Sequence, residues 1–244
     1  MPEPVLYRVR VNSCPDWVAY SSCTLGISVG QPYHEGGKFA ATVEWAARHF
    51  EHIRVDVSDT LQRHRLIREG VRAEEAARAS LREGDRWLAR ATPVLGACGK
   101  PYTITRWNEW LRHTEFPAVH QAYGRLAQSN AVLSGAVVAD IDGFIARQVK
   151  HGESIADTSA VRAASRAYLL EELAVITLQG RAQASARIYP GPELASFRAI
   201  RSSRVTDAPA GLERDYYVHV NLERRKAPAP LPHAAESLIA LKIA

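Results

Sequence analysis

The chain opens with an alternation. Val5, Tyr7, Val9 and Val11 interleave with Leu6, Arg8 and Arg10, the period that a half-buried strand requires. A second run, from Val18 to Ser28, is mostly apolar and small and predicts another strand, ending at Gly26-Ile27-Ser28. Val29 to Gly37 has the glycines and proline of a loop. From Lys38 to Phe50 the period becomes helical, with Phe39, Val43, Ala46, Ala47 and Phe50 on one face. Ile53 to Val57 predicts a third strand, closed by Ser58-Asp59, which suits a helix N-cap. Strand, loop, helix and strand in this order make a βαβ unit, with parallel pairing and a right-handed crossover expected.

The pattern further on predicts helix from Leu61 to Ala91, a strand at Tyr102 to Thr105, and helix in at least two pieces from Trp107 to Gln148. A long helix follows at Thr158 to Leu178. Ala184 to Tyr189 alternates as a strand and leaves through Tyr189-Pro190. The last strand is Tyr216 to Leu222. Strands alternating with helices predict an α/β fold, a Rossmann-like and mostly parallel sheet flanked by helices. The 244 residues suit one large domain over 1–226, with a proline-marked tail at 227–244.

Composition narrows the function classes. Cys14, Cys23 and Cys98 are odd in number and none are spaced C-x-x-C, which excludes a disulfide scaffold and a zinc ribbon. Unpaired thiols suit a reducing compartment, so a cytoplasmic protein is expected. The first residues lack the basic and apolar regions of a secretory signal, and the most apolar run, Ala131 to Ala146, is interrupted by Asp140 and Asp142. No membrane association is expected. The net charge is +5, carried mostly by arginine, which suits either a polyanionic partner or plain solubility.

Three groupings bear on chemistry. Gly26-Ile27-Ser28-Val29-Gly30 reads G-x-S-x-G at the carboxyl end of a strand, where open α/β sheets bind ligands. It is a nucleophile elbow or an ordinary Ser/Gly turn. As an elbow it stands early in the chain, and His151, His219 and His233 are the histidines that could serve it. Tyr168 and Glu172 share a helix face at i, i+4 and could form a proton-transfer pair, or be a half-buried phenol beside a surface acid. Arg78, Arg82, Arg86 and Arg90 step by four along a helix. That row suits a phosphate backbone or a solvated face laced with Glu83 and Asp85. Walker A, G-x-G-x-x-G and H-E-x-x-H patterns are missing from the sequence, so no nucleotide, cofactor or metal is expected. His34-Glu35-Gly36-Gly37 reads only as a loop.

Together these features resemble the tRNA-dependent cyclodipeptide synthases over residues 18–190. The resemblance rests on Gly26-Ile27-Ser28 closing a core strand, the arginine-rich helix, Tyr168-Leu169-Leu170-Glu171-Glu172, and Tyr189 seventeen positions later. Gln31 in place of an asparagine after the serine, and the pair Tyr189-Pro190, are similar to the Tyr-Pro (XYP) subfamily. The resemblance implies a fold like the class Ic aminoacyl-tRNA synthetase catalytic domain. It implies two aminoacyl-tRNAs consumed per 2,5-diketopiperazine, without ATP, metal or other cofactor, by a monomer. It implies Ser28 as nucleophile, Tyr168 and Glu172 as anchors of the α-amine, and Tyr189 as proton relay. Gly26, Gln31 and Pro190 would border the substrate, with Arg78, Arg82, Arg86 and Arg90 on the tRNA. Thr24, Val55 and Val57 would line the first side-chain pocket, which their size would fit to a small or medium residue. A serine esterase or a non-catalytic RNA-binding domain are the alternatives.

Overall fold

The computed structural model describes residues 6–150, 152 and 157–225. The proline-marked tail at 227–244, with His233, and the candidate His151 lie outside the described residues. The strands are β1 (Tyr7–Val11), β2 (Ser22–Ile27), β3 (His52–Val57), β4 (Tyr102–Arg106), β5 (Ser185–Tyr189) and β6 (Asp215–Arg224). The helices are α1 (Gly36–His49), α2 (Arg63–Arg68), α3 (Ala73–Gly96), α4 (Trp107–Leu111), α5 (Phe116–Ser129), α6 (Ala131–Lys150), α7 (Thr158–Ala182) and α8 (Ala195–Arg201). The strands form one sheet in the order β1-β6-β5-β2-β3-β4. All neighbours are parallel except β1, which pairs antiparallel with β6 along the edge. The expected α/β fold with parallel β2 and β3 around α1 is therefore present.

The two faces of this sheet differ in chemistry. Because strand side chains alternate, one face carries Cys23, Leu25, Ile27, Ile53, Val55, Val57, Ala186 and Ile188. These pack with Phe39, Val43 and Trp45 of α1 and Trp87, Ala91 and Leu95 of α3 into the main apolar core. The alternate positions are Thr24, Gly26, Arg54, Asp56, Ser185, Arg187 and Tyr189, a polar row in the middle of the fold. A second apolar core joins α5, α6, α7 and α8 through Tyr123, Leu133, Val137, Leu169, Leu173, Phe197 and Ile200.

Caps and close approaches fix the helices that flank the polar face. Asp157 accepts the N–H groups of Ser159 and Ala160 at 2.9 and 3.0 Å, starting α7. Asp140, which interrupts the apolar run of α6, accepts the N–H groups of Ala195 and Ser196 at 2.7 and 2.9 Å and so caps α8. A β-carbon on Gly180 would collide with the Gly211 carbonyl oxygen, so α7 meets the loop before β6 only because residue 180 is glycine.

Three elements depart from the sequence pattern. Val18 lies 67% exposed in a 3-10 turn at Pro15–Ala19, so the second strand begins only at Ser22. The arginine-rich helix breaks between α2 and α3, where Gly70 takes a φ of +88° that ends a helix. Helix α8 has no periodic signal of its own, and its cap comes from Asp140 on another helix. Among the described residues no single helix is long and apolar enough to cross a membrane.

Candidate active site

The chain runs from β2 outward through β3 and β4 on one side, then returns to β5 and β6 on the other. Strand order therefore reverses between β2 and β5, and the crevice beyond their carboxyl ends is where such sheets bind ligands. Ser28 follows β2 and Tyr189 ends β5 at this crevice. The Ser28 Oγ lies 3.0 Å from the Tyr189 hydroxyl, and that hydroxyl lies 2.9 Å from the hydroxyl of Tyr33. Three hydroxyls thus form one hydrogen-bonded chain.

The loop after β2 holds the serine backbone. The Ser28 N–H donates to Nδ1 of His34 at 2.9 Å, and the Gln31 N–H donates to the Ser28 carbonyl at 3.2 Å. The His34 carbonyl in turn accepts from the Trp87 indole at 2.9 Å, tying the loop to α3. With Nδ1 accepting, the ring proton sits on Nε2. Burial lowers the His34 pKa to about 4, so the imidazole is neutral at physiological pH. The rings of Tyr33 and His34 both stand edge-on to Tyr189, with centroids 5.8 and 5.5 Å away. In the sequence Tyr33 and His34 stand only as loop residues, marked by an aromatic pair behind Pro32.

Tyr168 and Glu172 enter from α7. Both are half-buried, and the Glu172 carboxylate acts on the phenols of Tyr33 and Tyr168 and holds both pKa values up, after the larger effect of burial. Burial raises Glu172 itself to about 7, against the opposing pull of Arg187. The adjacent Glu171 does the opposite. It is buried and bonded by Arg63, by His64 Nε2 at 3.1 Å and by Trp107 Nε1 at 2.8 Å; against burial, His64 and Arg63 hold its pKa at about 2. The two neighbours on the helix therefore divide the work: Glu171 locks α7 to α2 and α4, and Glu172 faces the phenols.

The polar row of the sheet lies beneath. Arg187 donates through Nε and Nη2 to Asp215 at 2.9 and 2.7 Å and through Nη2 to Gln179 at 2.8 Å. Thr24 shares this face but has no exposed surface, and its hydroxyl is 2.7 Å from that of Ser185. Val55 and Val57 do not line the pocket that the sequence led us to expect. They point to the opposite face, into the apolar core under α1 and α3, with no exposed surface. Their strand offers Arg54 and Asp56 to the crevice side instead, so the expected small apolar lining is replaced by charge. Gly26 lies between Arg187 and Tyr189, each 3.7 Å from where its β-carbon would be.

The remaining sequence candidates lie further out. The Gln31 side chain is exposed, and only its backbone joins the serine turn. Pro190 takes the chain out of β5, followed by Gly191 with φ +147°. Arg78, Arg82, Arg86 and Arg90 are exposed in a row along α3. Arg86 pairs with Glu83 and Arg90 with Glu35 at 2.7 Å, whereas Arg78 and Arg82 make no ion pair among the described residues. Asp85 is taken by Arg106. His219 donates its N–H to the Ser13 hydroxyl, on β6. No imidazole bonds the Ser28 hydroxyl among the described residues. No grouping of His, Cys, Asp and Glu suited to a metal occurs among them either.

A family model described as cyclodipeptide synthase matches residues 16–177. Among solved structures, the chain is similar to a cyclodipeptide synthase from Fluoribacter dumoffii at 24% identity and a TM-score of 0.80, covering 90% of this chain and 100% of that one. A cyclodipeptide synthase from Candidatus Glomeribacter gigasporarum, solved bound to Phe-tRNAPhe, is similar at 19% identity and a TM-score of 0.64, covering 88% and 93%. A Mycobacterium tuberculosis protein, whose structure relates cyclodipeptide synthetases to type I tRNA synthetases, gives 14% identity and a TM-score of 0.67 over 90% and 95%. These likenesses are of fold. No curated protein matches the chain.

Proposed function

Since its family model spans well over half of it, this chain belongs to the cyclodipeptide synthase family, and we propose that it joins two aminoacyl groups from aminoacyl-tRNAs into a 2,5-diketopiperazine through a covalent intermediate on Ser28. The observation that carries this reading is the Ser28 hydroxyl at the strand-order reversal, bonded at 3.0 Å to a phenol and, among the described residues, to no histidine. A serine hydrolase needs a base there to activate water as well as serine. An ester-to-ester exchange does not, because the departing ribose oxygen takes up the proton that serine gives away. An aminoacyl ester is already activated, so the reaction needs neither ATP nor a metal.

Each step then has a group in reach. The Ser28 oxygen attacks the ester carbonyl of the first aminoacyl-tRNA, forming the seryl ester and releasing tRNA. Glu172 and Tyr168 hold the α-ammonium of the bound aminoacyl group. A carboxylate with a pKa of about 7 is closely matched to an α-amine of roughly 7.7 to 8.0, so proton transfer between them is nearly balanced. The freed amine attacks the ester of the second aminoacyl-tRNA and leaves a dipeptidyl ester on Ser28. The new terminal amine attacks that ester and closes the ring, while Tyr189, itself bonded to Tyr33, returns a proton to the serine oxygen.

The exposed row on α3 is the docking surface for tRNA, with Arg78 and Arg82 the members free of acidic partners among the described residues. Gln31 and the pair Tyr189-Pro190 support assignment to the Tyr-Pro subfamily. The enzyme acts as a cytoplasmic monomer. The test is to incubate the full chain with a charged tRNA pool and search for cyclic dipeptides by mass spectrometry. Products that vanish with Ser28→Ala support the synthase. Release of free amino acids alone points to an esterase, and tRNA retention without turnover to a binding domain.

A further inference from the structure

The floor beside Gly26 holds two groups that the transfer chemistry leaves unused. The first is Nη1 of Arg187. Its sister nitrogens serve Asp215 and Gln179, but Nη1 has no hydrogen-bond partner among the described residues. It stands 3.7 Å from the position of a Gly26 β-carbon, on the same spot that the Tyr189 ring approaches to 3.7 Å. The other end of that ring touches Ser28. Ser28 is two residues beyond Gly26, about 7 Å at the rise of a strand. The second is Asp56, which the register sets opposite Gly26 on β3. Both its carboxylate oxygens are enclosed and accept no hydrogen bond, and Arg54 approaches only to 3.8 Å. Burial pushes the Asp56 carboxyl up, against the pull of Arg187 and Arg54. Two guanidiniums therefore reach this floor, and among the described residues only Arg187 of the two is held in a hydrogen-bonded ion pair, with Asp215.

We propose that the aminoacyl group carried on Ser28 has a side chain ending in a carbonyl oxygen, a carboxylate or carboxamide, which Arg187 Nη1 grips beside Gly26. The proposal rests on the synthase reading and names the substrate class of that same site. Aspartyl, asparaginyl, glutamyl and glutaminyl side chains have the acceptor, and about 7 Å is within their span plus one hydrogen bond. A hydrogen bond from a guanidinium is stronger than a neutral one. A leucyl or phenylalanyl side chain would cover Nη1 and return nothing, and a site built to bond a polar group rejects analogues that lack it. A cationic side chain would meet the like charge of the Arg187 guanidinium beside Gly26.

The experiment charges tRNA separately with labelled Asp, Asn, Glu, Gln, Ala, Leu, Phe and Arg, mixes each with the full chain, and counts acid-stable label on the protein. At least one of the first four should exceed Leu and Phe by ~100-fold or more, and the separate arms distinguish carboxylate from carboxamide. Arg187→Leu should erase that preference. If the loss of its pairing with Asp215 prevents folding, Gly26→Ala takes its place. Its β-carbon would sit at an ordinary 3.7 Å from its neighbours, yet it fills the space before Nη1, so the ratio should fall about 10-fold. An unchanged ratio in Gly26→Ala, or labelling by Leu, Phe, Ala or Arg as strong as by the polar four, overturns this pocket while leaving the synthase reading in place. No labelling by any aminoacyl-tRNA overturns the synthase reading, and this inference with it.

Discussion

Glu171 and Glu172 are chemically identical neighbours, held at about 2 and about 7 by their surroundings. The difference yields two predictions. In the proposed mechanism Glu172 acts as a carboxylate, so kcat/KM should rise with pH through about 7. Glu172→Gln should remove that limb and lower turnover by ~10²-fold or more while sparing tRNA affinity. A pH–rate profile that keeps the limb in Glu172→Gln assigns it to another group. For Glu171 the carboxyl is depressed below its unfolded value of about 4.3. Its stabilisation is therefore present above that pH and is lost as pH falls towards about 2. Glu171→Ala leaves Arg63, His64 and the Trp107 indole facing an empty buried site. It should cost about 3 to 5 kcal/mol, read as a lower urea midpoint at pH 7. A change within experimental error would mean that α2 and α4 do not depend on this cluster. The sequence singled out Glu172 by its spacing from Tyr168, but it carried no mark to separate the two acids. The partners of Glu171 come from residues some 60 to 110 positions away in the chain.

Periodicity located every strand and the long helices, because amphipathic repeats are local and survive without tertiary information. Which face of a strand meets which layer is not local. β3 reads as His-Ile-Arg-Val-Asp-Val, and its valines were the natural choice for a pocket lining. The pleat turns them under α1 and α3 because those helices bring Phe39, Trp45 and Trp87 to that side. Arg54 and Asp56 go to the other. The alternation of Ser185, Arg187 and Tyr189 in a central strand was the legible warning that the second face is polar. Helix α8 escaped for the same reason, since its cap is supplied by Asp140 from α6. Element packing also predicts a contrast between two helical glycines. Gly180→Ala would drive a β-carbon into the Gly211 carbonyl oxygen. It should cost about 1 to 3 kcal/mol. Gly124→Ala on α5 meets nothing within 4 Å and should gain roughly 0.5 to 1 kcal/mol. Thermal melts of the pair should move in opposite directions, and a common shift would contradict the close approach of α7 to that loop.

At the scale of the molecule, the synthase account requires a large polyanion to dock on one side of a small reaction centre. Arg78 and Arg82 are the members of the α3 row without acidic partners among the described residues, while Glu83 and Glu35 hold Arg86 and Arg90. Replacing Arg78 and Arg82 by Ala should weaken aminoacyl-tRNA binding and flatten its salt dependence by roughly 0.7 to 0.9 for each phosphate that is no longer neutralised. Equal slopes for wild type and variant would make the row a solvated face.

A covalent aminoacyl group on one serine is visible in the intact-protein mass after an acid quench. Mixed with a single aminoacyl-tRNA and quenched early, the wild-type chain should gain the mass of one aminoacyl residue. The adduct should map to the peptide containing Ser28 and be absent from Ser28→Ala. Tyr189→Phe should load that adduct and clear it more slowly, because the phenol is placed to return a proton to the serine oxygen as the ring closes. The same adduct on Ser28→Ala, or cyclic dipeptide formed by Ser28→Ala at the wild-type rate, would contradict the account.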